Sequence, residues 1–336
     1  MKAIAFCQAG CQLAVICVAT LGLAGADGSQ FWRPHIPTGL DRHVPAPSDN
    51  AITSEKIAIG RRLFFDNRLS ADGRTACATC HQPARHFTDG RVLARGVFGR
   101  QGRRHTPTIL NRAYGQSAFW DGRAATLEDQ VRVAITGERD LGLSMQEAVA
   151  RVARDADYER AFRRGFGAPI DAVHLVQAIA TFVRSRLSGN SAFDRFLSGE
   201  KTALGAVERQ GLELFTGRAR CARCHAGPLL SDEFFHNTGV AWRNGWFLDE
   251  GRAAITGNDE DRGAFKTATL REIARTAPYM HDGSLAHLGD VIEFYDRGGR
   301  PNPHLDREIR PLHLTNGEKT ALIAFLRSLN GTNAER

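Results

Sequence analysis

Cys-x-x-Cys-His occurs twice in this chain, as Cys77-Ala78-Thr79-Cys80-His81 and as Cys221-Ala222-Arg223-Cys224-His225. In this spacing a cysteine pair can form thioethers to one porphyrin edge, and the histidine that follows falls under the iron as its proximal ligand. A chain with two such motifs folds around two haems c, so porphyrin takes the place of much of each side-chain core. Zinc would need four ligands close together, and the two histidines stand far apart in the chain. A thioredoxin-like dithiol has no use for the trailing histidine.

The first 26 residues predict a secretory signal peptide. Lys2 supplies the positive start, residues 3–23 carry no charge, and Ala24-Gly25-Ala26 offers a small-x-small cleavage site. Cleavage there leaves no stable membrane anchor. Of the 7 cysteines, Cys7, Cys11 and Cys17 would leave with the leader, and the remaining ones are the four of the motifs, so no structural disulfide is expected. Export together with two haems points to a bacterial periplasm. The formal charge is +7, concentrated at Arg91, Arg95, Arg100, Arg103 and Arg104. That cluster reads equally as a docking face for an acidic partner, a set of propionate ligands, or a solvated loop. Nucleic acid is not an expected partner for an exported haem protein.

About 310 mature residues suit two domains better than one. We assign 27–190 to an N-terminal cytochrome c-like domain with haem 1, and 191–336 to a C-terminal one with haem 2. The expected fold class is mainly α, two cytochrome c-like haem domains packed against each other. Residues 27–50 form a proline-rich lead-in. Helices are expected from Thr53-Ser54 through Phe64, from a capping box at Thr126 through about Ile135, from Ser144 onward, over 171–187, over 204–215, and after a cap at Thr315. The segment 66–112 reads as loop around haem 1, the polar stretch 188–202 as the domain boundary, and no strand pairs are expected.

A haem with two strong protein ligands carries electrons, whereas one with an open position does chemistry. Met145 and Met280 read as core residues. Tyr295 lies on an expected helix over 287–297 and shares a face with Leu288, Val291 and Ile292. It is either a core tyrosine or a phenolate ligand to iron. Trp120 is either a core tryptophan or an electron relay between the haem regions.

Taken together, these residues resemble the bacterial dihaem cytochrome c peroxidases, and within them the MauG-type branch. The likeness runs through Arg62-Leu63-Phe64-Phe65-Asp66, Leu69-Ser70, Phe87-Thr88-Asp89-Gly90-Arg91, Thr106-Pro107-Thr108, Phe119-Trp120-Asp121-Gly122-Arg123-Ala124-Ala125 and Leu127-Glu128-Asp129-Gln130. It continues through Phe265-Lys266-Thr267, Thr269-Leu270-Arg271, Pro278-Tyr279-Met280-His281-Asp282-Gly283 and Phe294-Tyr295. The resemblance implies that Cys77, Cys80, Cys221 and Cys224 attach the haems, and that His81 and His225 are proximal ligands. It makes haem 1 the site that meets hydrogen peroxide, haem 2 the electron-transfer haem, Trp120 the residue between them and Gln130 a distal-pocket residue. Tyr295 takes the sixth-ligand position of haem 2, where the peroxidases carry methionine and MauG-type proteins tyrosine.

The chain departs from the family pattern in three places. Val97 stands where the peroxidases place a histidine that blocks haem 1, so haem 1 is expected open as isolated. Asp140 aligns with the distal glutamate, with Glu138 as its rival. His105 replaces the asparagine of an inter-domain calcium site, leaving Thr276 and Pro278. The implied reaction is peroxide reduction, with a carboxylate moving the proton and Gln130 orienting the bound peroxide. Electrons would come from a small periplasmic cytochrome c or cupredoxin. In the MauG-type alternative, aromatic residues of a protein substrate are oxidised instead. Ala219 lacks the surface tryptophan that such an enzyme could use there. The remaining alternative is a dihaem electron carrier without catalysis.

Overall fold

The computed structural model describes residues 32–332. The expected leader, with Cys7, Cys11 and Cys17, lies outside them. The described chain is mainly α, with helices α1 (Ser54–Phe64), α2 (Cys77–Cys80), α3 (Leu127–Thr136), α4 (Met145–Ala153), α5 (Ala156–Phe166) and α6 (Ala172–Arg184). After these come α7 (Ala192–Leu197), α8 (Ala206–Thr216), α9 (Ala253–Thr256), α10 (Leu288–Asp296) and α11 (Asn316–Arg327).

The helices start where side-chain oxygens can satisfy free backbone N–H groups. Thr53 accepts from the Lys56 N–H at 3.2 Å, and Ser144 and Thr315 form full capping boxes with Glu147 and Glu318. Each such cap contributes about 1 kcal/mol. Thr126 caps α3, but Asp129 receives its hydroxyl rather than closing a box. Glu128 instead grips Arg184 at 2.6 Å and so ties α3 to α6.

Two hydrophobic cores form, one from residues of 59–183 and one from residues of 193–329. They are built on the same device. On α1, a Cβ at Gly60 would lie 2.0 Å from the Ala178 carbonyl oxygen of α6. On α8, a Cβ at Gly211 would lie 2.0 Å from the Ala321 carbonyl oxygen of α11. Only glycine lets the two backbones approach so closely. One turn on, Phe64 meets Phe182 and Phe215 meets Phe325, each with centroids 5.0 Å apart. The same glycine–phenylalanine crossing thus recurs, as expected of a duplicated haem domain.

Several elements differ from expectation, among them two helices and the short strands. Helix α5 lies in an arginine-rich segment where Tyr158 and Phe162 are the buried residues, too thin a stripe to read from sequence. Helix α7 forms inside the polar stretch 188–202, because Ser191 and Asp194 close a capping box and Phe193 is buried. Four two-residue strands also form, where none were expected. β1 (Phe235–His236) pairs antiparallel with β4 (Phe265–Lys266), and β2 (Trp242–Arg243) with β3 (Trp246–Phe247). These pairs are too short to show a two-residue alternation.

The lead-in is anchored. Leu40 and Val44 pack with Ala113 and Leu187, and the Gly39 carbonyl accepts from Arg271, which also pairs with buried Asp194 at 2.9 Å. Among the described residues no helix is long and apolar enough to cross a membrane.

Candidate functional site

Both haem motifs are prepared in the same way. His81 lies at the end of α2, and its Nδ1 hydrogen-bonds the Phe87 carbonyl at 3.0 Å. His225 Nδ1 hydrogen-bonds the Leu230 carbonyl at 3.0 Å. A carbonyl at Nδ1 favours the Nδ1–H tautomer, in which Nε2 carries the lone pair that can ligate a metal, and the backbones of Pro107 and Ala268 also bear on the two rings. Burial lowers the pKa of both rings, so each is neutral, as ligation requires. Burial also pushes the thiols up, to about 12 at Cys77, about 11 at Cys80 and about 12 at Cys221. The donor set therefore fits a c-type haem at each motif, with Cys77, Cys80 and His81 at one and Cys221, Cys224 and His225 at the other.

The distal features of the two sites differ. Val97, expected from the resemblance beside haem 1, is fully buried and close to Gly142, and an aliphatic side chain cannot ligate iron. The Val97 N–H donates to the Asp140 carbonyl at 2.8 Å. A Cβ at Gly96 would lie 1.9 Å from the Arg139 carbonyl oxygen. The loop that carries Val97 thus holds the loop that carries Asp140. Surrounding protein raises the Asp140 pKa although the residue keeps an open face, and Arg123 opposes the shift. The Asp140 carboxylate is near enough to act electrostatically on Cys77 and Cys80. Glu138 is exposed and gives its backbone carbonyl to Arg100 at 2.9 Å. Gln130 is half-buried on α3, the helix that runs directly into the Asp140 loop.

At haem 2, Tyr295 projects from α10. Its phenol is enclosed by protein, and burial raises its pKa, helped by Cys221 and Cys224, while a hydrogen bond with Thr238 lowers it. The phenol is therefore near enough to the second motif to interact electrostatically with both of its cysteines. Thr238 carried no sequence signal, and Arg123 stood out only as the end of the Phe119–Arg123 run.

Trp120 lies between the two halves. Its Nε1 donates to the His105 carbonyl at 2.9 Å, and its own carbonyl accepts from the Lys266 N–H of β4 at 2.8 Å. The His105 N–H donates to the His281 carbonyl at 2.7 Å. The His281 ring stacks on Phe265 with centroids 3.6 Å apart. Two buried ion clusters flank this seam. Arg112 pairs with Glu233 at 2.7 Å, and Arg104 with Asp121 at 2.6 Å and Asp249 at 2.8 Å.

His105 bears on the calcium implied by the resemblance. The residue is buried, its Nδ1 meets the Arg91 carbonyl at 2.7 Å, and the Thr276 backbone also hydrogen-bonds the ring. Calcium needs a shell of oxygen ligands. Here an imidazole occupies the Thr276 carbonyl that would be one of them. The residues do not fit calcium at Thr276 and Pro278.

Residues 54–202 match the profile of the di-haem cytochrome c peroxidases. The chain is 41% identical over 293 residues to "Methylamine utilization protein MauG" of Methylorubrum extorquens, covering 87% of this chain and 82% of that protein. It is 36% identical to "Cytochrome-c peroxidase IdrP1" of Denitromonas iodatirespirans, covering 95% and 92%. A solved MauG-like protein associated with microbial copper homeostasis superposes with a TM-score of 0.82 at 35% identity, over 89% of this chain and 96% of that one. With two prepared haem motifs, a shared fold and relatives of this similarity along most of its length, the chain belongs to the di-haem cytochrome c peroxidase family of oxidoreductases.

Proposed function

We propose that this chain is a periplasmic peroxidase with two covalently attached haems. It reduces hydrogen peroxide to water with two electrons and two protons, the electrons coming from a small redox protein. When bound, the haems supply the peroxide site and the redox equivalents. The chain's own residues do the rest. Asp140 takes the proton from the inner peroxide oxygen and returns it to the outer one, and its position near Cys77 and Cys80 favours it over Glu138. Gln130 orients the peroxide. Trp120 spans the seam between the haem domains. Tyr295 would be a further residue holding haem 2.

The observation that carries this reading is the contrast between the two distal positions. Val97, which the resemblance sets where a blocking ligand would be, is buried, and Tyr295 is near enough to the second cysteine pair to interact with it electrostatically. The test is hydrogen peroxide added to the oxidised, haem-loaded protein. We expect a high-spin ferric signal at rest and an immediate spectral response without prior reduction. Two low-spin haems indifferent to peroxide would leave a plain electron carrier.

Tyr295 also favours a second reading, in which the electrons come from aromatic residues of a partner protein. Steady turnover with reduced cytochrome c or cupredoxin supports the first reading. Poor turnover with both, and covalent change in a co-expressed partner, supports the second. Tyr295→Phe should keep both haems attached and change the haem 2 spectrum; an unchanged spectrum removes Tyr295 as a ligand.

A further inference from the structure

His236 of β1 is an ionisable residue beside the second haem motif that the reaction above does not use. Its Nδ1 lies 2.6 Å from Asp306 Oδ2 and its Nε2 lies 3.0 Å from Asp232 Oδ2. Both ring nitrogens face carboxylates, so both carry hydrogen, and the ring is an imidazolium. Its ligating atoms and those of Asp232 lie within 4.8 Å of the Cys224 sulfur. The Asp232 N–H also donates to the Cys224 carbonyl at 2.7 Å. Cys224, Asp232 and His236 could together be taken for a metal site. The sulfur is committed to the haem thioether, and each ring nitrogen already has a carboxylate. Hydrogen bonds to the Cys224 sulfur, Asp306 and Asp232 push the His236 pKa up to about 10 against its burial. The carboxylate bonds survive when the sulfur becomes a thioether.

The first motif has no such group. The Cys80 sulfur lies 3.5 Å from the Arg95 carbonyl, and Asp89 and Arg91 act on it with opposite charges.

We propose that His236, locked between Asp232 and Asp306, is a fixed cation that sets the reduction potential of the haem held by Cys221 and Cys224. The three groups carry a net charge of −1 beside that haem. The ferric state bears one more positive charge than the ferrous state. The carboxylates therefore favour ferric iron and the imidazolium opposes them. The balance keeps haem 2 oxidisable without trapping it in the oxidised state, as an electron-transfer haem requires. His236 is a positioning residue: it touches the attachment cysteine and acts through the field there. This inference rests on the reading that a haem is attached at Cys224.

The experiment is spectroelectrochemical titration of the full-length, haem-loaded protein and two variants. Pyridine haemochrome assay first counts haems per chain, which separates failure of the attachment reading from failure of this proposal. His236→Gln removes the cation and should lower the haem 2 potential. Asp306→Asn removes an anion and should raise it. Each change should be about tenfold in the one-electron equilibrium, ~59 mV, with the haem 1 potential unmoved. Shifts of the same sign, no shift, or loss of the second haem in either variant would overturn the proposal, the last by revealing a purely structural clamp.

Discussion

On their proximal sides the two haem domains are nearly copies. Each crosses two helices at a glycine set against a carbonyl, stacks one phenylalanine pair with centroids 5.0 Å apart, and orients its ligand histidine with a carbonyl at 3.0 Å. Away from the ligand histidines they part. The first domain offers an aliphatic residue and a carboxylate with raised pKa, the second a phenol and a carboxylate-bound imidazolium. On the proposed reading, the repeated frame serves haem attachment in both halves, and divergence at a handful of residues would separate a reactive site from a conducting one.

The sharpest way to break this contrast is Asp140→Asn. It keeps the shape and removes the base, so the second-order rate with peroxide should fall by about 10²–10⁴-fold, or about 3–5 kcal/mol. Stopped-flow mixing checks this. Glu138→Gln should leave the rate near that of the parent, and the opposite ranking would exchange the two roles. In the parent, the rate should also fall with acidification through a pKa above the ordinary carboxylate value, because a protonated Asp140 cannot accept the proton.

The next effect lies in the seam that joins the halves. Burial alone would raise the Glu233 pKa, but Arg112 and Lys266 overcome it and bring it to about 2. Because the folded value lies below the ordinary 4.5, this contribution is fully present above about pH 4.5 and is lost as pH falls toward 2. It amounts to about 3 kcal/mol. Urea unfolding between pH 2 and 5 should show this slope in the parent and lack it in Glu233→Gln.

Third, the duplicated helix crossings should respond alike. Gly60→Ala and Gly211→Ala should each destabilise their own domain by about 1–3 kcal/mol, since the new Cβ meets backbone that cannot swing away. Thermal melts followed at the two haems check this, and a large effect at one glycine alone would weaken the case for duplication. The smallest expected effect is none. A chelator should leave both haem spectra unchanged, because His105 occupies the Thr276 carbonyl. Restoring the family's asparagine with His105→Asn should make the protein bind calcium, read by isothermal titration.

Much of this was legible before folding. The haem motifs name their own chemistry, and capping residues marked the starts of α1, α3, α4 and α11. Tyr295 could be placed on the inner face of its helix because α10 has a clear apolar stripe. Asp140 and Glu138 could not be told apart, since both lie in one irregular loop with no period. What favours Asp140 is its nearness to Cys77 and Cys80, which the chain brings in from a distant segment. Helix α7 was hidden because its single buried aromatic, Phe193, gives no pattern. The role of His105 was invisible because its partners, Arg91, Thr276 and His281, are scattered along the chain.

Sequence alone determined that this protein carries two haem sites and is mainly helical, because attachment motifs and helix caps act over a few neighbouring residues. Tertiary structure alone decided which carboxylate lies near the first cysteine pair, what the imidazoles of His105 and His236 bind, and where Trp120 bridges the halves. Those outcomes depend on charges and carbonyls brought together from distant segments, and local pattern carries no record of such meetings.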